Sequence, residues 1–195
     1  QPTSAPVVSG GVPASFLPIC KLITADSFDN GASANDWRQD TTPNASIGIR
    51  NGAYEISFDA PANQRPIQPL AVGGLRSFSF GDMRVEALLR ASVFSTGEDR
   101  TGLLIRVQDD ENFLAYIIRS DGSYRIARFS TGGGADGEDL IGWTQSNAIR
   151  VGDGAVNTLR IDMRGSRFEL YINRQFIARL TDDSWAEGRV GFFGA

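Results

Sequence analysis

The sequence predicts an all-β protein, an antiparallel β-sandwich carrying an extended N-terminal arm. Three observations lead there. Apolar side chains alternate with polar ones at period two from the middle of the chain onward, the spacing that turns one face of a strand toward a core. Turn-forming pairs divide these runs at intervals of roughly ten residues, as sandwiches require. No segment sustains a helical period beyond a single turn near residues 184–186. A chain of 195 residues is long enough to close one hydrophobic core unaided.

Taken in order, the elements follow from that alternation. "NGAYEISF" sets Tyr54, Ile56 and Phe58 on one face after an Asn51-Gly52 turn. "GDMRVEALLRAS" sets Met83, Val85, Ala87 and Leu89 against Arg84 and Glu86, and "TGLLIRVQ" sets Leu103, Ile105 and Val107 against Leu104 and Arg106. After the polar tip "DDEN", "FLAYIIRS" runs into Ser120-Asp121-Gly122 and "SYRIARFS" returns. Asp-Gly between two alternating runs is a strong hairpin signal, because the tight turn needs positive φ. "NTLRIDM", "RFELYIN" and "QFIARL" follow, separated by turns at Gly165 and at Asn173-Arg174. Their inward residues are read as Leu159, Ile161 and Met163, then Phe168, Leu170 and Ile172, then Phe176, Ala178 and Leu180. "EGRVGFFGA" ends the sequence with Val190, Phe192 and Ala195 alternating.

Three segments break the pattern. Residues 1–24 form the arm, where "APVVSGGVPASFLPI" carries no charge and is kept extended by its prolines. Residues 60–76 hold three prolines and read as a long loop or broken edge strand. Residues 131–139, "TGGGADGED", read as a flexible acidic tip. Residues 25–195 make up the sandwich.

Composition excludes several functions. A net charge of −4 and a pI of about 4.9 leave no basic footprint for nucleic acid. No apolar run approaches the roughly 18 residues of a membrane span. The absence of histidine removes the commonest general base, metal ligand and pH switch. The single cysteine, Cys20, forbids an internal disulfide; it is a small buried hydrophobe or, in an exported protein, an intermolecular cross-link. "QPTSAPVVSGG" lacks the features of a signal peptide, and a start on glutamine points to a removed leader. Asn44-Ala45-Ser46 has the form of a glycosylation acceptor.

Candidate chemistry is sparse. Asp109, Asp110 and Glu111 crowd one tip, and Asp136, Glu138 and Asp139 another. A glycosidase needs two carboxylates across a cleft, one with a raised pKa, whereas tip carboxylates are solvated. Calcium suits oxygen-rich loops, but "DGED" lacks an ordered ligand spacing, so no cofactor is expected and calcium is the one metal left open. Trp37, Trp143, Trp185, Tyr116, Tyr124 and Tyr171 are either core or sugar-stacking platforms. Arg106, Arg119, Arg125 and Arg128 either line a face for acidic glycans or pair across strands as structural ions. Serine-nucleophile motifs, phosphate loops and metal-spaced Cys/His clusters are missing.

Several stretches resemble the concanavalin A-like jelly-roll superfamily in its laminin-G-like form, known from bacterial extracellular modules. "DSFDN" with Trp37 looks like its first strand and following tryptophan, Gly102–Phe129 like its central hairpins, and Leu140–Phe193 like its C-terminal half. The resemblance implies a jelly roll. It also implies a further strand after "GRVGFF", so a chain ending at Ala195 is expected to lack one strand beside Asp26–Asn30. That edge would expose an acceptor groove lined by Phe28, Val190 and Phe192. Val7, Val8, Val12, Phe16, Leu17 and Ile19 of the arm are the material to fill it, either in their own domain or in a neighbouring copy. The expectation is therefore a non-catalytic extracellular or cell-surface subunit, assembling head to tail with other copies of itself by strand exchange. The alternative is a carbohydrate-binding module with glycan partners.

Overall fold

The computed structural model describes Leu22, residues 25–29, Trp37, residues 39–42, 45–58, 73–74, 79–91 and 97–194. The arm residues Val7, Val8, Val12, Phe16, Leu17 and Ile19, together with Cys20 and Asn44, lie outside these residues. Among the described residues there are thirteen strands, and every pairing between them is antiparallel. Among the described residues no helix is long and apolar enough to cross a membrane.

The strands β1 (Asp40–Thr42), β2 (Ala45–Arg50) and β3 (Ala53–Phe58) form a small meander. A four-stranded sheet runs in the order β12 (Gln175–Thr181), β11 (Arg167–Ile172), β10 (Val156–Arg164), β5 (Met83–Arg90). A six-stranded sheet runs β4 (Gly73–Gly74), β13 (Arg189–Gly194), β6 (Arg100–Val107), β7 (Phe113–Arg119), β8 (Ser123–Phe129), β9 (Glu138–Gln145). The chain crosses between the two larger sheets after β4, β5, β9 and β12, and the result is a jelly-roll sandwich.

The alternation read from the sequence builds the core between those sheets. Leu159, Ile161 and Met163 on β10 and Phe168, Leu170 and Ile172 on β11 meet Leu103, Ile105, Leu114, Tyr116, Ile118 and Ile126 from the six-stranded sheet. Each aliphatic side chain removed from water here contributes about 2 kcal/mol. The buried Tyr116 hydroxyl donates to the Tyr171 carbonyl across the sandwich at 3.4 Å, which satisfies the one polar atom that ring brings inside.

Three expectations need correcting. Val107 does not share a face with Leu103 and Ile105; it packs with Leu104, Phe113, Ala115, Ile117 and Phe193 on the other face of the sheet. The cause is Arg106, whose φ of 52° and shifted register opposite Arg189 and Gly191 insert one residue and reset the period. Phe176 points to solvent at 54% exposure, because a register shift at Leu170/Tyr171 moves β12 by one position; Ile177, Ala178 and Leu180 pack against the core instead. Asp26–Phe28 is not a strand, since Phe28 has φ 60° and the Asp26 carboxylate takes up the Phe28 amide.

Candidate functional site

The outer face of the six-stranded sheet is apolar in its middle and becomes polar toward one corner. Leu104, Ala115 and Ile117 there are fully buried. Toward the corner, Arg100 on β6 lies opposite Arg119 on β7, Arg125 follows on β8 opposite Ile117, and Trp143 follows on the edge strand β9. Cationic side chains on neighbouring strands repel one another, so this arrangement needs compensation.

Compensation comes one carboxylate per guanidinium. Glu98 faces Arg100 at 3.8 Å, Asp121 accepts the Arg119 Nε–H at 2.9 Å, and Asp139 pairs with Arg125. The guanidinium carbons lie 4.5 Å (Arg119), 5.6 Å (Arg100) and 5.9 Å (Arg125) from the Trp143 ring centroid, within cation–π reach. Asp121 is further fixed by the Ser123 amide at 2.9 Å and the Ser123 hydroxyl at 2.5 Å. The Arg119 hydrogen bond, chiefly, holds its carboxyl down at about 2, and the same partner raises the Arg119 guanidinium.

The corner remains open to a ligand. The side chains of Arg119 and Asp121 are 21% and 27% exposed and that of Asp139 is 50% exposed, while Thr144 and Gln145 beside Trp143 are exposed. Trp143 itself is half-buried. An indole ringed by planar donors and fixed carboxylate acceptors, with nearly balanced charge, suits a ligand that has one apolar face and a rim of hydroxyl groups.

Other residues singled out from sequence are placed elsewhere. Tyr116 and Tyr124 are buried in the core, and Trp185 packs against it. Arg106 is wholly buried and donates to the carbonyls of Phe80 at 3.1 Å, Gly165 at 3.2 Å and Ala186; desolvation lowers its pKa. Arg128 joins Asp182, Glu138 and Ser184 at the far end of β8. Asp109 accepts the amides of Glu111 and Asn112 at 2.9 and 2.8 Å, which lowers its pKa and makes it a turn-forming residue. Among the described residues no group of three or more Cys, Asp or Glu side chains is placed to hold a metal ion.

Two of the three groove residues are brought together. Phe28 and Phe192 join Trp37 and Tyr54 in one cluster: Trp37 stacks on Phe192 at 5.2 Å, and Phe28 meets Trp37 edge-on at 5.4 Å. The Trp37 indole donates to Asp26 at 2.8 Å. Val190 is buried. The side of β13 away from β6 is taken by β4 at Gly191 and Phe192, within the segment read as a loop or broken edge strand. Strand exchange at that edge thus finds no support.

No protein-family model matches the chain, and no curated protein matches it in sequence. Solved structures are similar in fold. A Bacillus licheniformis β-glucanase superposes with a TM-score of 0.57 at 11% identity, over 87% of this chain and 84% of that one. A glycoside hydrolase family 16 endo-glucanase from Bacteroides ovatus gives 0.57 at 12%, over 87% and 84%. A Bacillus subtilis protein of unknown function with a galectin-like fold gives 0.51 at 10%, over 80% and 81%. The likeness is one of fold alone, that of an antiparallel jelly-roll sandwich.

Proposed function

We propose that the protein is a non-catalytic, extracellular carbohydrate-binding module that takes a neutral sugar at the Trp143 corner. The observation that carries this reading is the indole with three guanidiniums around it, each tied to its own carboxylate. A pyranose has an apolar C–H face for the ring and hydroxyl pairs that bridge adjacent donors and acceptors. Local neutrality argues for an uncharged sugar, because an acidic one would compete with Asp121 and Asp139 for cations already compensated.

Two lines support a binding role over hydrolysis. Glycoside hydrolysis needs a carboxylic acid whose pKa is raised, and at the Trp143 corner Asp121 is shifted the other way, held low by its hydrogen bond from Arg119. Asp121 and Asp139 also have their oxygens engaged by arginine. The similar fold of a β-glucanase and an endo-glucanase suggests β-glucan oligosaccharides as first ligands to try, and the fold's use in secreted glycan-handling proteins is consistent with an extracellular site.

The test is titration calorimetry with mixed-linkage β-glucan oligosaccharides on the full chain and on Trp143→Ala. The wild type binds and the variant loses at least tenfold in affinity, corresponding to about 1.4 kcal/mol. A Trp143→Ala protein that binds as the wild type does removes this site.

A further inference from the structure

The outer face of the opposite, four-stranded sheet has a charge pattern that its own packing does not require. Six of the chain's 19 cationic side chains but three of its 23 acidic ones point outward there. On an acidic protein this is a local excess of positive charge.

The excess has a definite geometry. Asp162 and Glu169 stand directly opposite each other on β10 and β11, and each carries two guanidiniums. Arg84 grips Asp162 through two bonds of 2.7 Å while Arg160 approaches it at 3.3 Å. Glu169 receives Arg179 at 2.7 Å and Arg167 at 3.0 Å, and the first of these is the main cause of its lowered pKa. Each triad keeps one net positive charge.

Beside them, Arg164 and Arg167 face each other in register at the end of the same hairpin. Like charges opposed in this way are destabilising, and among the described residues no carboxylate bridges the two. Arg167 is already held by Glu169 at 3.0 Å, so this hairpin end presents two opposed guanidiniums of which, among the described residues, only Arg167 has a carboxylate partner. Farther along the sheet, Phe176 lies exposed, edge-on to Tyr171 at 5.6 Å, and Arg160 lies 3.7 Å over the Tyr171 ring.

We propose that this face binds a carboxylate-bearing polysaccharide, a polyuronate, with one uronate carboxylate seated between Arg164 and Arg167 and a sugar ring of the same chain against Phe176. Guanidinium recognises carboxylate through paired parallel hydrogen bonds, and a flat sheet face accepts an extended chain along several strands. The ligand and the face both differ from those of the Trp143 corner, so either reading stands or falls without the other.

The probe is polygalacturonate, titrated into the full chain at low and at physiological ionic strength. The wild type binds, more weakly as salt rises, and the double variant Arg164→Gln/Arg167→Gln binds at least tenfold more weakly. Both residues are exposed, so the variant retains its fold, checked by circular dichroism. Trp143→Ala retains polygalacturonate binding. The proposal is overturned if the wild type does not bind, or if the double variant binds equally well. Equal binding of dextran sulfate or polyglutamate overturns it too, because the face would then answer to charge alone.

Discussion

At Arg106 the backbone bends and the side chain binds in the same place. Its left-handed φ turns β6 aside, and its guanidinium satisfies the carbonyls of Phe80, Gly165 and Ala186, which come from three separate connections. Gly188 must be glycine beside it, since a Cβ there would stand 2.4 Å from the Arg106 carbonyl carbon. Arg106→Ala leaves buried acceptors without donors and should cost about 3 kcal/mol in urea unfolding. Arg106→Met, which keeps the stem and loses the donors, should cost nearly as much. A loss below about 1 kcal/mol in both would show that these bonds matter little. Asp121 gives a second check. Its folded pKa of about 2 lies below the ordinary 3.8, so its contribution to stability is fully present above about pH 4 and is lost as pH falls toward 2. Carboxyl NMR should show a midpoint near 2; a midpoint near 3.8 would mean that Arg119 does not hold it in solution.

Elements were legible in the sequence wherever strict alternation met a turn pair. The hairpins at Asn51-Gly52, Gly122, Gly165 and Asn173-Arg174 lie where their residues predict, with positive φ at all six of these residues. What the pattern could not show was each place where one residue is inserted. A bulge resets the period without a fixed residue type: Arg106 is not a glycine, and nothing in "QFIARL" marks the shift that exposes Phe176. The Trp143 corner was legible only in part: Trp143, Arg119 and Arg125 stood out in the sequence, but Arg100 did not, and the three arginines come from β6, β7 and β8, which only the register aligns. At the Asn173-Arg174 turn the cost of a left-handed non-glycine residue can be measured. Arg174 sits at φ 69°, so Arg174→Gly should stabilise the β11–β12 hairpin by about 0.5–1 kcal/mol. A lower denaturant midpoint in this variant would contradict that reading of the turn.

Across the whole molecule, one sandwich presents two unlike polar surfaces. The corner of the six-stranded sheet holds compensated ion pairs around an indole. The outer face of the four-stranded sheet holds guanidiniums in excess. The jelly roll itself was readable from alternation and turn spacing, because burial between two sheets imposes period two on every strand. Function was less so: a family-like strand count drew attention to the edge of β13, where Gly73–Gly74 now pairs, and away from side chains that only folding assembles. Binding of a neutral sugar at the Trp143 corner is tested by NMR mapping on the 15N-labelled full chain titrated with mixed-linkage β-glucan oligosaccharides. The Trp143 indole N–H and the amides around Arg119–Ser123 and Asp139–Gln145 should shift together and saturate. Saturable shifts confined to any other surface, or none at all, would contradict it.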